Sequence, residues 1–500
     1  MSIKQIISIR LIGVTAVTLV IGCLLVANTV VADTSPARFT LNNIFDLQWA
    51  QDPRISPDGR QVVFVRGSFN RMNDKARHSL WLVNTDGTGL RPLTDPDLNA
   101  TSPRWSPDGK RLLYVTGVKG EGAEIRVRYM ASGTTARLAS LEHGPSELSW
   151  SPDGHSIAFA MFVPATPRQP MAKMPSPPKG ADWGPPIKVI DRLMYRFNGE
   201  GYLPRGRTHL FVLPAEGGTP RQVTDGDVDD DGSLVWTPDS KSLIFTANRH
   251  EDAEYQPLNT EVYEVAAAGG DVRALTHRDG PDGSAVVSPD GSHIAYTGFD
   301  DRRQGYQVTR LYVMDRDGSH AHVITARLDR DVRNPQWDRR GRGLYFQYDD
   351  EGTTRIGHVE LDGKVQVLAS DVGGLDLGRP YAAGQYSVSA ASGVFAFTLT
   401  SAEHPADVAV GSRRGGKVRR LTDLNKGLLG HMRLGSLEEI HFPSGYDKRS
   451  IEGWLLKPPG FDPEQKYPLL LEIHGGPFAN YGPRFSAEDQ LYAAAGYVVL

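Results

Sequence analysis

The residues best suited to chemistry are His474-Gly475-Gly476-Pro477. They follow an apolar run at residues 468–473 and precede a helical pattern at 485–495, so we expect a loop between a strand and a helix. Glycine lets bare backbone approach a ligand closely, and a backbone N–H held in this way can stabilise the oxyanion formed in acyl transfer. The motif therefore predicts an oxyanion-binding loop, with His474 a structural residue of that loop rather than a catalytic base.

A second group of polar side chains follows a Pro-rich stretch of the chain. Residues 161–209 interrupt an otherwise regular pattern, and within them the segment DRLMYRFNGEGY carries Arg192, Arg196, Glu200 and Tyr202. Such a long irregular excursion is either mobile or draped over a face of the fold. We take Arg196, Glu200 and Tyr202 as candidate substrate-binding residues, and ordinary sheet surface is the alternative.

An acidic stretch at residues 227–232 has the first half of a calcium-binding loop. Its twelfth position is Pro238, where a bidentate glutamate would be required, and no flanking helices are indicated. The sequence therefore predicts a solvated acidic turn at this place. No metal site and no cofactor are expected.

The bulk composition describes a soluble globular protein of more than one domain. The chain has 500 residues, of which 39% are hydrophobic and 23% are charged, and its formal net charge is −4. This length exceeds what one ordinary core accommodates. The absence of a basic excess argues against nucleic acid as the main partner.

Residues 1–32 have the layout of a secretory signal peptide. Lys4 and Arg10 precede an apolar run, and Ala32 supplies a small residue before Asp33. We expect an exported protein, in the bacterial periplasm or secreted, with residues 33–54 as an N-terminal segment. An uncleaved membrane anchor is the alternative, since a run of this length can just span a bilayer. Cys23, the only cysteine, also suggests a lipoprotein site but fits it poorly; its place in this segment excludes a cysteine nucleophile from the mature chain.

Ser-Pro-Asp-Gly turns recur through the middle of the chain and indicate a repeated unit. They begin at Ser56, Ser106, Ser151 and Ser288, with a worn copy at Thr237. Each suits a type I turn, and each is followed by strand-like alternation and then by a hairpin pattern. Seven such units, mostly about 45–50 residues apart, are typical of four-stranded blades. The sequence predicts an all-β, seven-bladed β-propeller over residues 55–425.

Residues 430–500 begin a different fold. Residues 437–442 and 450–457 suit a hairpin, and 468–473 reads as a strand apolar enough for a sheet covered on both faces. A helix at 485–495 and another apolar strand from Tyr497 give the strand–helix–strand order of a parallel α/β sheet. We interpret this segment as the N-terminal part of an α/β-hydrolase domain, which is incomplete within the 500 residues.

An exported chain with a propeller, then HGGP…YG…F and AAAGYVVL, resembles the prolyl oligopeptidase family of serine peptidases. The segment DRLMYRFNGEGY looks most like its acylaminoacyl-peptidase-like branch. The resemblance covers nearly the whole mature chain and implies an active site in the cavity between propeller and hydrolase domain. It also implies short peptides as substrates, because the propeller restricts access. By this resemblance Gly476 is an oxyanion-hole donor, and Gly475 and Pro477 shape its loop.

The sequence departs from the family pattern at the nucleophile. The family's serine lies on a Gly-x-Ser-x-Gly turn, followed along the chain by an aspartate and then a histidine, and no such pentapeptide occurs here. We therefore expect a fragment that lacks on the order of 150–200 residues of an ordinary-sized domain. Glu438-Glu439 is the only adjacent glutamate pair. It lies on the hydrolase side, so the paired propeller glutamates of dipeptidyl-peptidase branches have no match.

Two other functions remain open on the sequence alone. A non-catalytic periplasmic propeller that binds a protein or a peptide would account for the missing triad. An esterase acting on small acyl esters would use the same loop, although it would not need a propeller as a filter. Cleavage specificity and oligomeric state are not indicated by the sequence.

Overall fold

The computed structural model describes residues 37–117, 122–165, 175–184, 188–389 and 391–500. The predicted signal peptide at 1–32 lies outside these residues. Within them strands dominate, and the helices are short: Leu41–Ile44, Lys426–Leu429 and Ala487–Ala494, with a 3₁₀ turn at Pro96–Leu98. None of these described helices combines the length and the apolar character that crossing a membrane requires.

Seven four-stranded antiparallel sheets follow one another along the described chain, each from its own stretch of sequence. Sheets 1 to 3 consist of Trp49–Ile55, Gln61–Asn70, Lys75–Asn84 and Arg91–Pro92; Ala100–Trp105, Arg111–Gly117, Ala123–Tyr129 and Thr135–Leu141; and Ser146–Trp150, Ser156–Pro164, Gly206–Pro214 and Arg221–Gln222. Sheets 4 and 5 consist of Leu234–Trp236, Ser242–Ala247, Glu261–Ala266 and Arg273–Ala274; and Asp282–Val287, His293–Gly298, Arg310–Asp315 and His322–Val323. Sheets 6 and 7 consist of Arg333–Trp337, Gly343–Asp350, Thr353–Glu360 and Val365–Ala369; and Tyr386–Val388, Val394–Ser401, His404–Ser412 and Arg419–Arg420.

The inner strands of these sheets are apolar on both faces, and the second strand of sheet 1 shows why. Successive side chains of a strand point to opposite faces. Val62 and Phe64 are buried against sheet 7, whereas Val63 and Val65 are buried against sheet 2. A continuous apolar run is therefore what a sheet with two neighbours requires, in contrast to the alternating pattern of a sheet with one wet face.

Apolar clusters join every sheet to the next and close a ring. One buried cluster lies between each pair of successive sheets from 1 to 7. A seventh cluster joins sheet 7 to sheet 1 and includes Ala50 and Phe64 on one side and Ala396 and Val410 on the other. Among the described residues no strand is exchanged across this junction, and side-chain packing together with a backbone hydrogen bond, from the N–H of Ala391 to the carbonyl of Pro57 at 3.2 Å, holds it. The β-propeller expected from the repeats is confirmed.

Indole N–H groups connect neighbouring sheets near the start of four of the units. The Nε1–H of Trp105 donates to the carbonyl of Arg54 at 2.9 Å, and that of Trp150 donates to the carbonyl of Arg104 at 3.1 Å. Equivalent bonds are made at three further positions, by Trp236, Trp337 and, through its hydroxyl, Tyr386. Each aromatic residue thus packs in one interface and donates to the first strand of the preceding sheet.

The Ser-Pro-Asp-Gly turns connect the first and second strands of their sheets. In the turn that begins at Ser288, the hydroxyl donates to Asp290 Oδ1 at 2.6 Å, and the N–H of Ser292 donates to the same oxygen at 3.1 Å. These bonds favour the ionised carboxylate and lower the pKa of Asp290 to about 2. The repeated Ser and Asp residues therefore hold turns, as a structural role requires.

The ring begins earlier in the chain than predicted, because the first strand of sheet 1 precedes the Ser-Pro-Asp-Gly turn. This strand begins at Trp49, whereas the predicted propeller starts at residue 55. The difference arises because the Ser-Pro-Asp-Gly turn follows the first strand of each unit. The Pro-rich excursion is also shorter than predicted: strand residues extend to Pro164 and resume at Gly206. A separate two-stranded hairpin, Arg196–Phe197 with Gly201–Tyr202, lies inside it.

An eighth sheet follows the ring. Ser436–Pro443 and Ser450–Lys457 pair as the predicted hairpin, and Val498–Val499 joins the hairpin's second strand. Leu469–Leu470 then pairs in parallel with Val498–Val499, as the strand–helix–strand pattern indicates. Ala37–Arg38 pairs separately with Met432–Arg433.

One expectation about this sheet is wrong for the described residues. The run at 468–473 forms a strand only at Leu469–Leu470, and it is not covered on both faces. Leu469, Leu471 and Ile473 are 58%, 62% and 74% exposed. These three side chains lie on one face, which the described residues leave exposed, whereas Leu470 on the other face packs against the cluster of Leu456, Ala493 and Val499.

Replacing Trp150 with phenylalanine tests the indole contacts between sheets. The variant loses the hydrogen bond to Arg104 and part of the volume in the interface of sheets 2 and 3, so we expect the free energy of unfolding to fall by about 1–3 kcal/mol. Urea unfolding followed by circular dichroism measures it. Trp183→Phe is the matched control, because Trp183 is 46% exposed. An equal loss in both variants would contradict the proposed role of the indole.

Candidate active site

The His474–Pro477 loop lies where the parallel strand of the eighth sheet gives way to a helix. Strand pairing fixes the chain at Leu469–Leu470, and the helix Ala487–Ala494 fixes it on the other side. Ser486 caps this helix: its hydroxyl accepts a hydrogen bond from the N–H of Asp489 at 3.1 Å. The same hydroxyl donates to the carbonyl of Gly378 in the ring at 2.8 Å. The loop is therefore held between two anchored elements.

Gly476 has the backbone conformation and the free donor that an oxyanion-binding loop needs. Its φ is +151°, where side chains are rarely accommodated, and an added Cβ would lie 2.8 Å from the N atom of Phe478. Gly476 is exposed, and its N–H has no hydrogen-bond partner among the residues that the structure describes. An exposed, unpaired backbone N–H can donate to an oxyanion.

The ring contributes a tyrosine that positions the neighbouring peptide. The Tyr381 hydroxyl accepts a hydrogen bond from the N–H of Gly475 at 3.0 Å. Its ring packs edge-on against Tyr481, with centroids 4.8 Å apart. The backbones of the two tyrosines also form an isolated β-bridge. Since Gly475 precedes Gly476, this contact fixes the peptide immediately before the free N–H.

His474 contacts the loop itself, and its assignment as a structural residue stays a prediction. Its Nδ1 lies 3.0 Å from the carbonyl oxygen of Gly475, and its ring lies 5.5 Å from that of Tyr481. Both contacts of His474, with Gly475 and with Tyr481, are therefore made to residues close to it in the chain.

An arginine from the same ring segment draws the strand and the helix together. Arg379 lies 3.0 Å from Glu472, two residues before His474, and 3.3 Å from Glu488 in the first turn of the helix. The Tyr481 hydroxyl and these two carboxylates raise the pKa of Arg379. One guanidinium thus balances carboxylates from both elements that flank the loop.

A buried arginine anchors the far end of the loop to the ring. Arg484 is 5% exposed and donates to the hydroxyl of Thr354 at 2.9 Å and to the carbonyl of Pro380 at 3.3 Å. Burial lowers its pKa to about 10, so it remains cationic at neutral pH. Gln490 adds a bond to the carbonyl of Ala402 at 3.1 Å. These bonds leave little freedom for the loop to move relative to the ring.

A mainly apolar cavity of about 370 Å³ adjoins the loop. It lies between the eighth sheet and the ring, and its walls include Leu437, Trp454, Ile473, His474 and Tyr481. The lining includes His474 but neither Gly475 nor Gly476. A concave, mainly apolar surface is the usual form of a small-ligand site.

The other predicted candidates lie elsewhere. Arg196, Glu200 and Tyr202 are in the exposed hairpin of the excursion, where Lys188 Nζ lies 3.6 Å from the centre of the Tyr202 ring. No hydrogen bond or ion pair joins these three to the His474–Pro477 loop in the part of the chain that the structure describes. Their role in substrate binding stays a prediction.

The acidic stretch at 227–232 is explained by neighbouring arginines. Arg207 pairs with Asp227 and Asp229 at 2.8 Å each. Asp230 is fully buried and bonded to Arg249, so the turn is not solvated throughout as predicted. A carboxylate can be buried without a large energetic cost only where a cation lies beside it, and here Arg249 is that cation.

Sequence reasoning missed Arg379 and Tyr381. Both lie in the connection between sheets 6 and 7, whose repeat pattern is too irregular to place them. The only indication in the sequence was the run DLGRPYAAG at residues 376–384, whose Gly and Pro residues interrupt the strand pattern and so indicate a long connection.

Comparisons with known proteins agree with this fold. The family described as "Dipeptidyl peptidase IV (DPP IV) N-terminal region" matches residues 201–301. The uncharacterized peptidase YuxL of Bacillus subtilis is 26% identical over 92% of this chain and 70% of its own length. Dipeptidyl-peptidase 5 of Porphyromonas gingivalis is 26% identical over 89% of this chain and 65% of its own length.

Solved structures show the same fold. The Pyrococcus horikoshii acylaminoacyl peptidase matches 92% of this chain and 66% of its own, with a TM-score of 0.73 and 18% identity. The β-propeller domain of the Trilobed protease from Pyrococcus furiosus matches 76% of this chain and 98% of its own, with a TM-score of 0.52 and 17% identity. The chain spans about two thirds of the length of its peptidase relatives. The resemblance to the prolyl oligopeptidase family of peptidases is confirmed.

Replacing Tyr381 with phenylalanine tests its hold on the loop. The variant keeps the ring contact with Tyr481 but leaves the Gly475 N–H without its acceptor. We expect exchange of the Gly475 amide to accelerate about fivefold, which corresponds to a hydrogen bond worth about 1 kcal/mol. Hydrogen–deuterium exchange with mass spectrometry measures this rate. Tyr446→Phe is the control, since Tyr446 is 98% exposed; unchanged exchange in Tyr381→Phe would refute the contact.

Proposed function

We propose that this chain forms the propeller and the oxyanion-binding side of a serine peptidase that hydrolyses short peptides. The observation that carries the proposal is the free N–H of Gly476, held at a strand-to-helix loop by the contact between Gly475 and Tyr381. The peptidases among the chain's relatives support the same reaction class.

The proposed architecture is a seven-bladed propeller followed by the first part of an α/β-hydrolase domain. The seven sheets and their closed ring of apolar interfaces support the first part. The parallel pairing of Leu469–Leu470 with Val498–Val499, together with the helix Ala487–Ala494 between them, supports the second.

In the proposed reaction a serine hydroxyl attacks the peptide carbonyl, and a histidine oriented by an aspartate takes the proton. The carbonyl oxygen becomes an oxyanion, which the N–H of Gly476 stabilises together with the amide that follows the serine. No Gly-x-Ser-x-Gly turn occurs in the 500 residues, so the proposal requires the triad to lie outside them.

The ring would restrict this site to short peptides, because a substrate must reach a loop that lies against the connection between sheets 6 and 7. The exposed hairpin with Arg196, Glu200 and Tyr202 would contact substrates at the edge of the ring. Export to the periplasm or beyond the cell is part of the same proposal.

Fluorophosphonate labelling of source-cell extract tests the proposal. An antibody raised against this chain recovers the protein, and mass spectrometry gives the mass of any labelled species. We expect label on a species heavier than 54.8 kDa. Recovery of unlabelled protein, while other serine hydrolases of the extract are labelled, would favour a binding propeller without catalysis. Comparing the turnover of matched peptide and ester substrates distinguishes a peptidase from an esterase. Comparing peptides that have a free N-terminus with the same peptides acetylated at the N-terminus shows whether the enzyme requires the free amine.

Gly476→Ala in the labelled protein tests the oxyanion loop. The added methyl group cannot fit at φ +151°, so the loop must shift and the donor is lost. We expect peptide turnover to fall by at least about 100-fold, as for removal of one oxyanion-hole donor. Gly445→Ala is the matched control, because an added Cβ there contacts nothing within 4 Å. Equal turnover in both variants would contradict the role of Gly476.

A further inference from the structure

Three potential metal ligands converge on the hairpin of the eighth sheet. Glu439 and His441 lie two residues apart on the strand Ser436–Pro443, so both side chains point to the same face. Glu452 lies directly opposite His441 on the strand Ser450–Lys457. Paired strands bring such residues within contact distance.

The distances among these side chains suit a shared cation. One ligand atom from each of the three residues lies within 4.8 Å of the others. His441 Nε2 is already 2.8 Å from Glu439 Oε1. A metal with bonds of about 2.0–2.2 Å to nitrogen and oxygen would fit after small side-chain rotations.

Glu452 supplies the second observation. Glu452 is partly exposed as a residue, but its Oε1 atom is inaccessible to solvent and has no hydrogen-bond partner among the described residues. A buried carboxylate oxygen without a partner is costly, and a bound cation would satisfy it. The His441–Glu439 contact leaves this oxygen unsatisfied, so an ordinary surface hydrogen-bonded pair does not account for the whole cluster.

The carboxylates of the neighbouring turn of sheet 6 already have cationic partners. Asp350, beside this hairpin, pairs with Arg330 at 2.8 Å and with Arg355 at 2.6 Å. A cation is therefore called for by the unpaired oxygen of Glu452 and by the convergence of the three ligands, and not by the carboxylates of that turn.

We propose that Glu439, His441 and Glu452 bind a divalent transition-metal ion of the Zn²⁺ class. An imidazole nitrogen with two carboxylates suits Zn²⁺, whereas Ca²⁺ and Mg²⁺ prefer ligand sets made of oxygen alone. The ion links the two strands of the hairpin and stabilises the fold, since it binds the native state and not the unfolded chain.

The test uses the protein purified without a histidine tag and treated with a chelator. Isothermal titration with Zn²⁺, thermal unfolding with and without Zn²⁺, and the visible absorption of Co²⁺ report binding, stability and coordination. We expect one tight site per chain and a higher Tm with Zn²⁺. Mutation of a residue that only hydrogen-bonds to a metal ligand lowers metal affinity by roughly 10–100-fold. Because His441 would be a ligand itself, His441→Ala should lower the Zn²⁺ affinity by more than this.

Glu438→Gln is the matched control, because Glu438 precedes Glu439 on the same strand and pairs with Lys457. It should keep both the Zn²⁺ affinity and the rise in Tm. His441 is half exposed, so His441→Ala should fold, which its circular dichroism checks; Glu452→Gln then tests the enclosed ligand. Zn²⁺ binding that His441→Ala leaves unchanged, or no tight site in the wild-type protein, would overturn the proposal.

Discussion

The burial of both faces of every sheet in the ring is the constraint on which the rest of the structure depends. A four-stranded sheet with two apolar faces is not stable in water, so each sheet needs a neighbour on either side. Seven sheets meet this need only when the last packs against the first, as Ala396 and Val410 do against Ala50 and Phe64. The loops between sheets then project from a rigid frame, and one of them carries Arg379 and Tyr381 to the candidate site.

Charge balance at the candidate site depends on the same frame. Arg379 faces two carboxylates of the eighth sheet and its helix, and Arg484 is buried among ring carbonyl and hydroxyl groups. Arg379 comes from the ring, whereas Arg484 follows the loop along the chain and reaches into the ring. A glycine-rich loop makes few side-chain contacts of its own. Its conformation therefore depends on Tyr381 and Arg379 from the ring, and on Arg484, which binds ring groups. The free donor of Gly476 is a product of this outside support.

The repeats and the glycine loop could be predicted from sequence because both are local patterns. A Ser-Pro-Asp-Gly turn determines its own geometry, and an apolar run of strand length within a repeated unit indicates a strand buried between two sheets. The interface partners Arg379 and Tyr381 could not be predicted, because their positions depend on closure of the ring across hundreds of residues. The Glu439, His441 and Glu452 cluster was missed for a related reason: strand register, and not spacing along the chain, brings Glu452 opposite His441. The exposed strand at 468–473 shows that an apolar run predicts a preference for burial and does not identify what covers it.

Among the described residues each sheet is built from its own stretch of sequence, which has a consequence for how the chain folds during synthesis. Pairings within each sheet are short-range, so sheets 1 to 6 can form in order as the chain is made. The last strand of sheet 1 ends at Pro92. The apolar side of this sheet that carries Val62 and Phe64 is covered only after the chain has been synthesised as far as Leu421, at the end of sheet 7. At translation rates of about 5–20 residues per second, that side stays uncovered for tens of seconds. During this interval the first blade keeps an apolar side in contact with water, and it is the part of the nascent chain most prone to aggregation.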